Sequence, residues 1–92
     1  MTTINLEDKV HDLGPIHFLS VEWARPSSRL VRIYYSWRGE RQPLALRMDL
    51  DKMAILDDVN GRVEPAALQD RVQRIWEIVS AQRTRNHVRA SV

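Results

Sequence analysis

Cysteine is absent from this chain of 92 residues, and its absence removes several kinds of chemistry. Without a thiol there is no disulfide, no thiolate nucleophile and no cysteine-ligated metal. Lysine is rare as well, since only Lys9 and Lys52 occur among the 14 basic residues. The other basic residues are arginines, whose planar guanidinium suits carboxylate, phosphate and aromatic contacts. Arginine enrichment can also follow genomic base composition, so the composition alone assigns these arginines no role.

Glycine is scarce too, and no apolar run is long. The three glycines stand apart from one another, so there is no glycine-rich loop to cradle a phosphate. No run approaches the roughly 18 apolar residues that a membrane-spanning helix needs. Glu7, Asp8 and Asp12 lie where a secretory signal would have a basic start and an apolar core. These features predict a cytoplasmic protein with no membrane contact.

What is present is the composition of one small globular domain. The chain is 43% hydrophobic and 28% charged, which is ordinary for a folded soluble protein and argues against global disorder. Its formal net charge of +2 is too small to indicate a nucleic-acid partner by itself. We expect a single domain over residues 1–84 and a flexible basic tail over residues 85–92, where the apolar pattern stops.

Two strands joined by a short turn, between Arg29 and Leu50, are the strongest local prediction. Apolar residues occupy every second position in both arms, which indicates a sheet with one buried face. In the first arm these residues are Val31, Ile33, Tyr35 and Trp37, and in the second they are Leu44, Leu46, Met48 and Leu50. This pair of strands is therefore the centre of the predicted fold.

A third alternating segment, residues 16–24, predicts the strand that precedes this pair. Regular alternation places Leu19, Val21 and Trp23 on the buried face. The same alternation places Phe18 on the outer face of the sheet. The serines and the proline that follow this segment are typical of a turn.

His17 is the histidine with the most suggestive neighbours, because Asp12 and Ser20 are close to it in sequence. A catalytic triad needs a geometry that sequence proximity does not supply. His17 also falls on the face of its strand that alternation predicts to be buried, so we interpret it as a structural or surface histidine. We predict no catalytic residue and no enzyme activity.

The pairing of the two central strands depends on the length of the loop between them. A two-residue loop places Arg32 opposite Arg47, which is repulsive. A four-residue loop places Arg32 opposite Asp49, which forms an ion pair. The same loop brings Tyr34 opposite Arg47, which offers a cation–π contact. We therefore predict the longer loop, with Glu22, Arg32 and Asp49 in one charged row on the outer face.

Helices are predicted at both ends of the chain. Apolar spacing of four and three predicts a short helix over residues 5–13, ended by Gly14. A longer apolar stripe predicts a helix over residues 65–83 that lies across the buried face of the sheet. Removing Trp76 from that stripe should cost about 3–5 kcal/mol if its side chain is fully buried. Residues 53–57 suit either one helical turn or a fourth short strand, and we favour the strand.

The predicted fold is therefore α+β. It has a short N-terminal helix, an antiparallel sheet of three to four strands and a long C-terminal amphipathic helix packed on one sheet face. The segment Val59–Arg62 has the composition of a type I′ hairpin turn, but its flanking strands would be short, so we predict a loop there. The acidic residues between Asp49 and Glu64 do not have the spacing of a calcium loop. We predict no metal site and no cofactor.

The outer face of the sheet is the most suggestive surface. Arginine interleaved with an aromatic residue is how some sheets bind single-stranded nucleic acid, but carboxylates on the same face cancel much of the field. Exposed sheet edges and outer-face apolar residues favour a protein contact instead. We predict a small non-enzymatic protein-interaction module, a homodimer or a binder of a protein partner, with nucleic-acid binding as the alternative. The candidate interaction surface consists of Phe18, Leu30, Arg32, Tyr34, Arg38 and Arg47.

Overall fold

The fold is an antiparallel sheet followed by one long helix. The computed structural model describes residues 1–58 and 64–90, with side chains for all of these except 65 and 86–90. Within these residues each strand pairs with its neighbour in chain order. The strands are β1 (Thr2–Asn5), β2 (Ile16–Trp23), β3 (Leu30–Trp37), β4 (Leu44–Asp49) and β5 (Ala54–Asp58). A 3-10 turn (Pro65–Leu68) leads into α1 (Gln69–Ala90). The predicted α+β class is confirmed.

One face of the sheet carries the hydrophobic core, and α1 packs against it. The apolar stripe that leads into and along the helix is at most 1% exposed at Leu68, Val72, Ile75 and Val79. It meets the buried alternate residues of the two central strands, which are Val31, Ile33, Tyr35, Leu44, Leu46 and Met48. The facing predicted for β3, for β4 and for the helix stripe is confirmed.

The N-terminal segment contains the strand β1 at Thr2–Asn5, and the helix predicted over residues 5–13 is not formed. The β-branched triplet Thr2–Ile4 favours extended backbone, and β1 pairs antiparallel with β2. A single helical turn follows, in which the Val10 N–H donates to the Leu6 carbonyl at 3.1 Å. Leu6 and Val10 are both buried, so their spacing marks one buried turn and not a helix.

A β-bulge changes the facing of the first half of β2. Its pairing with β3 shifts by one residue between Phe18 and Ser20, which leaves Leu19 as the extra residue. Phe18 is consequently 1% exposed in the core, and Leu19 is half-buried. The predicted placement of Phe18 on the outer face is wrong, because strict alternation makes no allowance for an extra residue. Beyond the bulge, the predicted pairing of Glu22 with Arg32 is confirmed.

The register of β3 against β4 is the one that the sequence argument rejected. Arg32 lies opposite Arg47 and not opposite Asp49. On the neighbouring strands, Glu22 lies opposite Arg32, and Asp57 lies opposite Arg47. Each arginine therefore has a carboxylate opposite it on the neighbouring strand, and this offsets the repulsion between Arg32 and Arg47. A comparison of β3 and β4 alone omits these carboxylates.

A tight turn directly follows β3 in the connection to β4. The Glu40 N–H donates to the Trp37 carbonyl at 3.0 Å. Arg38 and Gly39 have φ angles of 52° and 75°, as a type I′ turn requires. The twist of this turn matches that of the strands that it joins. The pairing of Tyr35 with Leu44 contradicts the register that the predicted four-residue loop requires.

The remaining boundaries differ from prediction by a few residues. β5 confirms the fourth short strand expected at 53–57, and β1 adds a fifth strand. The loop predicted over 59–62 lies outside the described residues. α1 continues to Ala90, so most of the segment expected to be a tail, 85–92, is helical. The division of the chain at residue 84 stays a prediction. Trp76 is half-buried, so the loss expected for a fully buried tryptophan does not apply to it.

Candidate interaction surface

The face of the sheet opposite α1, called here the outer face, is the candidate surface. In the part of the chain that the structure describes, no helix or strand crosses it. Leu30, Arg32, Tyr34 and Arg47 lie together on this face, as predicted. Leu30 is 41% exposed, both arginines are exposed and Tyr34 is half-buried. Their spacing on β3 and β4 therefore presents one mixed apolar and cationic patch.

The other two predicted surface residues lie elsewhere. Phe18 is in the core under α1. Arg38 is in the β3–β4 turn, where its guanidinium carbon lies 5.7 Å from the centre of the Trp37 ring. Trp37 has the parity of the inner face and is half-buried. Neither Phe18 nor Arg38 contributes to the outer face.

Part of the charge on the outer face is paired by hydrogen bonds within that face. Arg47 forms a two-point contact with Asp57, with Nε to Oδ1 at 2.9 Å and Nη2 to Oδ2 at 2.5 Å. This contact raises the pKa of Arg47 and lowers the pKa of Asp57. The Tyr34 hydroxyl donates to Glu22 Oε1 at 2.7 Å. A side-chain hydrogen bond with Tyr34 raises the pKa of Arg32, and attraction to the Glu22 carboxylate acts in the same direction.

His17 ties the N-terminal loop to the sheet. Its Nδ1 lies 2.6 Å from Asp12 Oδ1, and its Nε2 lies 3.3 Å from Glu7 Oε1. Its side chain is 38% exposed, so the buried-face position predicted for it is wrong. The hydrogen bonds with Asp12 and then Glu7 raise the pKa of His17. Within residues 1–58 and 64–90, no group of three or more acidic or histidine side chains has the geometry of a metal site.

We expect the protein to lose a little stability as pH rises through the pKa of His17. The folded-state pKa is above the ordinary value of 6.5, so the protonated ring favours the folded state. This contribution is complete below about pH 6.5 and disappears as pH passes the higher folded-state value. The effect is small because a side chain that is 38% exposed is screened by solvent.

Thermal melts of the wild type and of His17→Asn between about pH 5 and pH 8 measure this effect. The wild type should lose melting temperature over this range relative to the variant. Parallel pH profiles for the two proteins would contradict the assignment to His17.

Two arginines of α1 anchor the same N-terminal loop. Arg71 donates from Nε to the His11 carbonyl at 3.0 Å and from Nη2 to the Asp12 carbonyl at 3.1 Å. Arg74 donates from Nε to the Lys9 carbonyl at 3.1 Å. The sequence analysis missed these contacts because their acceptors are backbone carbonyls about 60 residues away. No local pattern indicates such a partner.

Arg83 also makes contacts within the protein. Its guanidinium carbon lies 5.6 Å from the centre of the Trp23 ring, and it donates to the Ser28 carbonyl. Burial lowers the pKa of Arg83, and the nearby Asp51 carboxylate opposes that shift. This arginine joins the C-terminal half of α1 to the β2–β3 turn, so it is not free to bind a phosphate.

The comparisons with known proteins assign no relative to the chain. No family model matches it, and no curated protein or solved structure matches it significantly. The described part of the chain contains no helix that is both long and apolar enough to cross a membrane. An account of function therefore depends on the surfaces of the protein itself.

Proposed function

We propose that this protein is a small non-enzymatic protein-interaction module whose outer face binds a protein partner. The observation that carries the proposal is the outer face itself, which no described element covers. It presents the 41% exposed Leu30 beside the exposed Arg32, which is hydrogen-bonded to Tyr34 and lies opposite Glu22. Tyrosine and arginine beside exposed apolar surface suit a protein contact. The absence of cysteine supports a cytoplasmic location.

The alternative is nucleic-acid binding by the same face. Its support is weaker, because Arg47 is paired with Asp57 and Arg38 lies in the turn outside the face. Arg83 is bonded to the backbone. A nucleic-acid contact would weaken steeply with salt, since counterion release drives it. We expect no retention of RNA or DNA at low salt.

A photo-crosslinking amino acid in place of Tyr34 tests the proposal. The matched control carries the same group at Gln73, which is exposed on α1, away from the outer face. We expect irradiation to produce a discrete protein adduct from the Tyr34 position and none from the Gln73 position. Equal labelling from both positions would contradict the proposal, and an adduct removed by nuclease would favour the alternative.

Arg32→Glu should weaken formation of the Tyr34 adduct by roughly tenfold, because an arginine at the centre of a contact is a frequent hot spot. The melting temperature should change little, since Arg32 is exposed. Arg25→Glu is the control, because Arg25 is exposed in the β2–β3 turn away from the patch. The comparison is read from adduct yield at matched protein concentrations. Equal loss from both variants would indicate a non-specific charge effect.

A further inference from the structure

The two edges of the sheet are protected very differently. β5 has a bulge at Leu56, two aspartates and the 3-10 turn packed beside it. β1 has no charge, no proline and no bulge along Thr2–Asn5. Natural proteins block sheet edges with such devices because an open edge templates pairing with another strand. β1 is therefore the open edge of this sheet.

The backbone of β1 offers unpaired hydrogen-bonding groups at this edge. The Leu6 N–H donates to the Leu19 carbonyl at 2.9 Å, continuing the β1–β2 ladder. Successive strand residues direct their N–H and C=O groups to opposite sides, so those of Ile4 also point to β2. Those of Thr3 and Asn5 point away from the sheet. Among the described residues, nothing hydrogen-bonds to these four groups.

We propose that β1 pairs antiparallel with β1 of a second copy of this chain, which joins the two sheets into one. The two-fold axis passes through Ile4, so Thr3 of each copy faces Asn5 of the other. All four outward-facing groups of each strand are then used, in four backbone hydrogen bonds. The inference goes beyond the proposed function, because it uses the sheet edge and not the outer face.

The side chains of β1 suit a second copy. In this register Ile4, which is 8% exposed, meets Ile4 of the other copy on the core side. Thr3 and Asn5 are exposed and meet each other on the outer side, where polar cross-strand pairs are favourable. The strand has no charge to oppose its own copy. The interface is small, so association requires high protein concentration.

Thr3→Pro tests the edge directly. Proline removes an N–H that no other described residue uses, and its fixed φ suits an edge strand. The control, Thr3→Val, keeps the N–H and favours the strand. We expect Thr3→Pro to remain monomeric at concentrations where the wild type and Thr3→Val associate, with little change in melting temperature. Association of a folded Thr3→Pro equal to that of the wild type would overturn the inference.

Amide hydrogen exchange of the wild type gives a second readout that does not depend on a variant. Exchange at Thr3 and Asn5 should slow by roughly tenfold or more between dilute and concentrated samples, while the Ile4 amide is already protected at both. Association without added protection at Thr3 and Asn5 would overturn the inference. If Arg32→Glu alone abolished that association, the outer-face proposal would stand. If the edge were protected and no Tyr34 adduct formed, the outer-face proposal would fail and the edge pairing would stand.

Discussion

Replacing Phe18 by alanine should destabilise the protein by about 3–5 kcal/mol, the cost of removing a large buried aromatic side chain. Phe18 is 1% exposed and belongs to the core under α1. The same substitution at the adjacent Leu19 should cost less than half as much, because Leu19 is half-buried. Equilibrium urea unfolding measures both losses, since a domain of this size is expected to unfold in two states.

The order of the two losses tests the β-bulge in β2. Without the bulge, strict alternation would bury Leu19 and expose Phe18, and the order would reverse. A larger loss for Leu19→Ala than for Phe18→Ala would therefore contradict the placement of the bulge between Phe18 and Ser20. The denaturant slopes of the two variants should match that of the wild type, so that the midpoints compare directly.

The second large effect is expected at Asp49, a buried carboxylate at the end of β4. It is 2% exposed, and its Oδ1 accepts from the Asp51 N–H at 2.9 Å and from the Lys52 N–H at 3.2 Å. Its Oδ2 lies 3.3 Å from Arg29 Nε. Asp49→Ala leaves these donors without their partner and should cost about 3 kcal/mol.

The control for Asp49 is Asp57→Ala, which removes an exposed carboxylate from its contact with Arg47. Exposed ion pairs contribute little to stability, so this variant should unfold close to the wild type. Asp49→Asn keeps one acceptor oxygen and should fall between the wild type and Asp49→Ala. Equal losses for Asp49→Ala and Asp57→Ala in the urea experiment would show that the buried contacts of Asp49 do not hold the β4–β5 turn.

Local periodicity was enough to predict the centre of the fold. The alternation of Val31, Ile33 and Tyr35 identified the buried face of β3, and the stripe through Val72 and Ile75 identified the buried side of α1. Both features depend only on which residues share a face, and this follows from neighbours in the sequence. Prediction of these elements therefore needed no knowledge of their partners.

The errors have a different physical origin. The bulge at Leu19 shifts the alternation of β2 by one residue, from Ile16 and Phe18 to Val21 and Trp23, and an assumption of unbroken alternation missed this shift. The Arg32–Arg47 pairing was rejected because only two strands were weighed, whereas carboxylates on the two flanking strands lie opposite these arginines. β1 is only four residues long, which is too short for alternation to indicate a strand. The pairing error therefore arose from strands that lie outside the two segments that were compared.

The candidate surface was predictable to the same extent. Leu30, Arg32 and Tyr34 followed from the parity of β3, and they lie on the outer face. The open edge at Thr3 and Asn5 did not follow, because it depends on β1, a strand that the sequence analysis did not predict. The arginines of α1 that bind backbone carbonyls, such as Arg71, have no local signature either. The residues that share the outer face could thus be predicted from the sequence. The open sheet edge and the contacts of arginines with distant backbone carbonyls could not.

Light scattering coupled to size-exclusion chromatography, over a concentration series at low and high salt, tests the central claim that this protein acts through contact with another protein chain. With a second copy as that chain, the account predicts a mass that rises from 10.8 kDa toward twice that value at both salt concentrations. Salt should matter little, because backbone hydrogen bonds and apolar contacts hold the pair. A mass of 10.8 kDa at every concentration would contradict the pairing of two copies. Nucleic acid retained at low salt and lost at high salt would contradict the proposal of a protein partner.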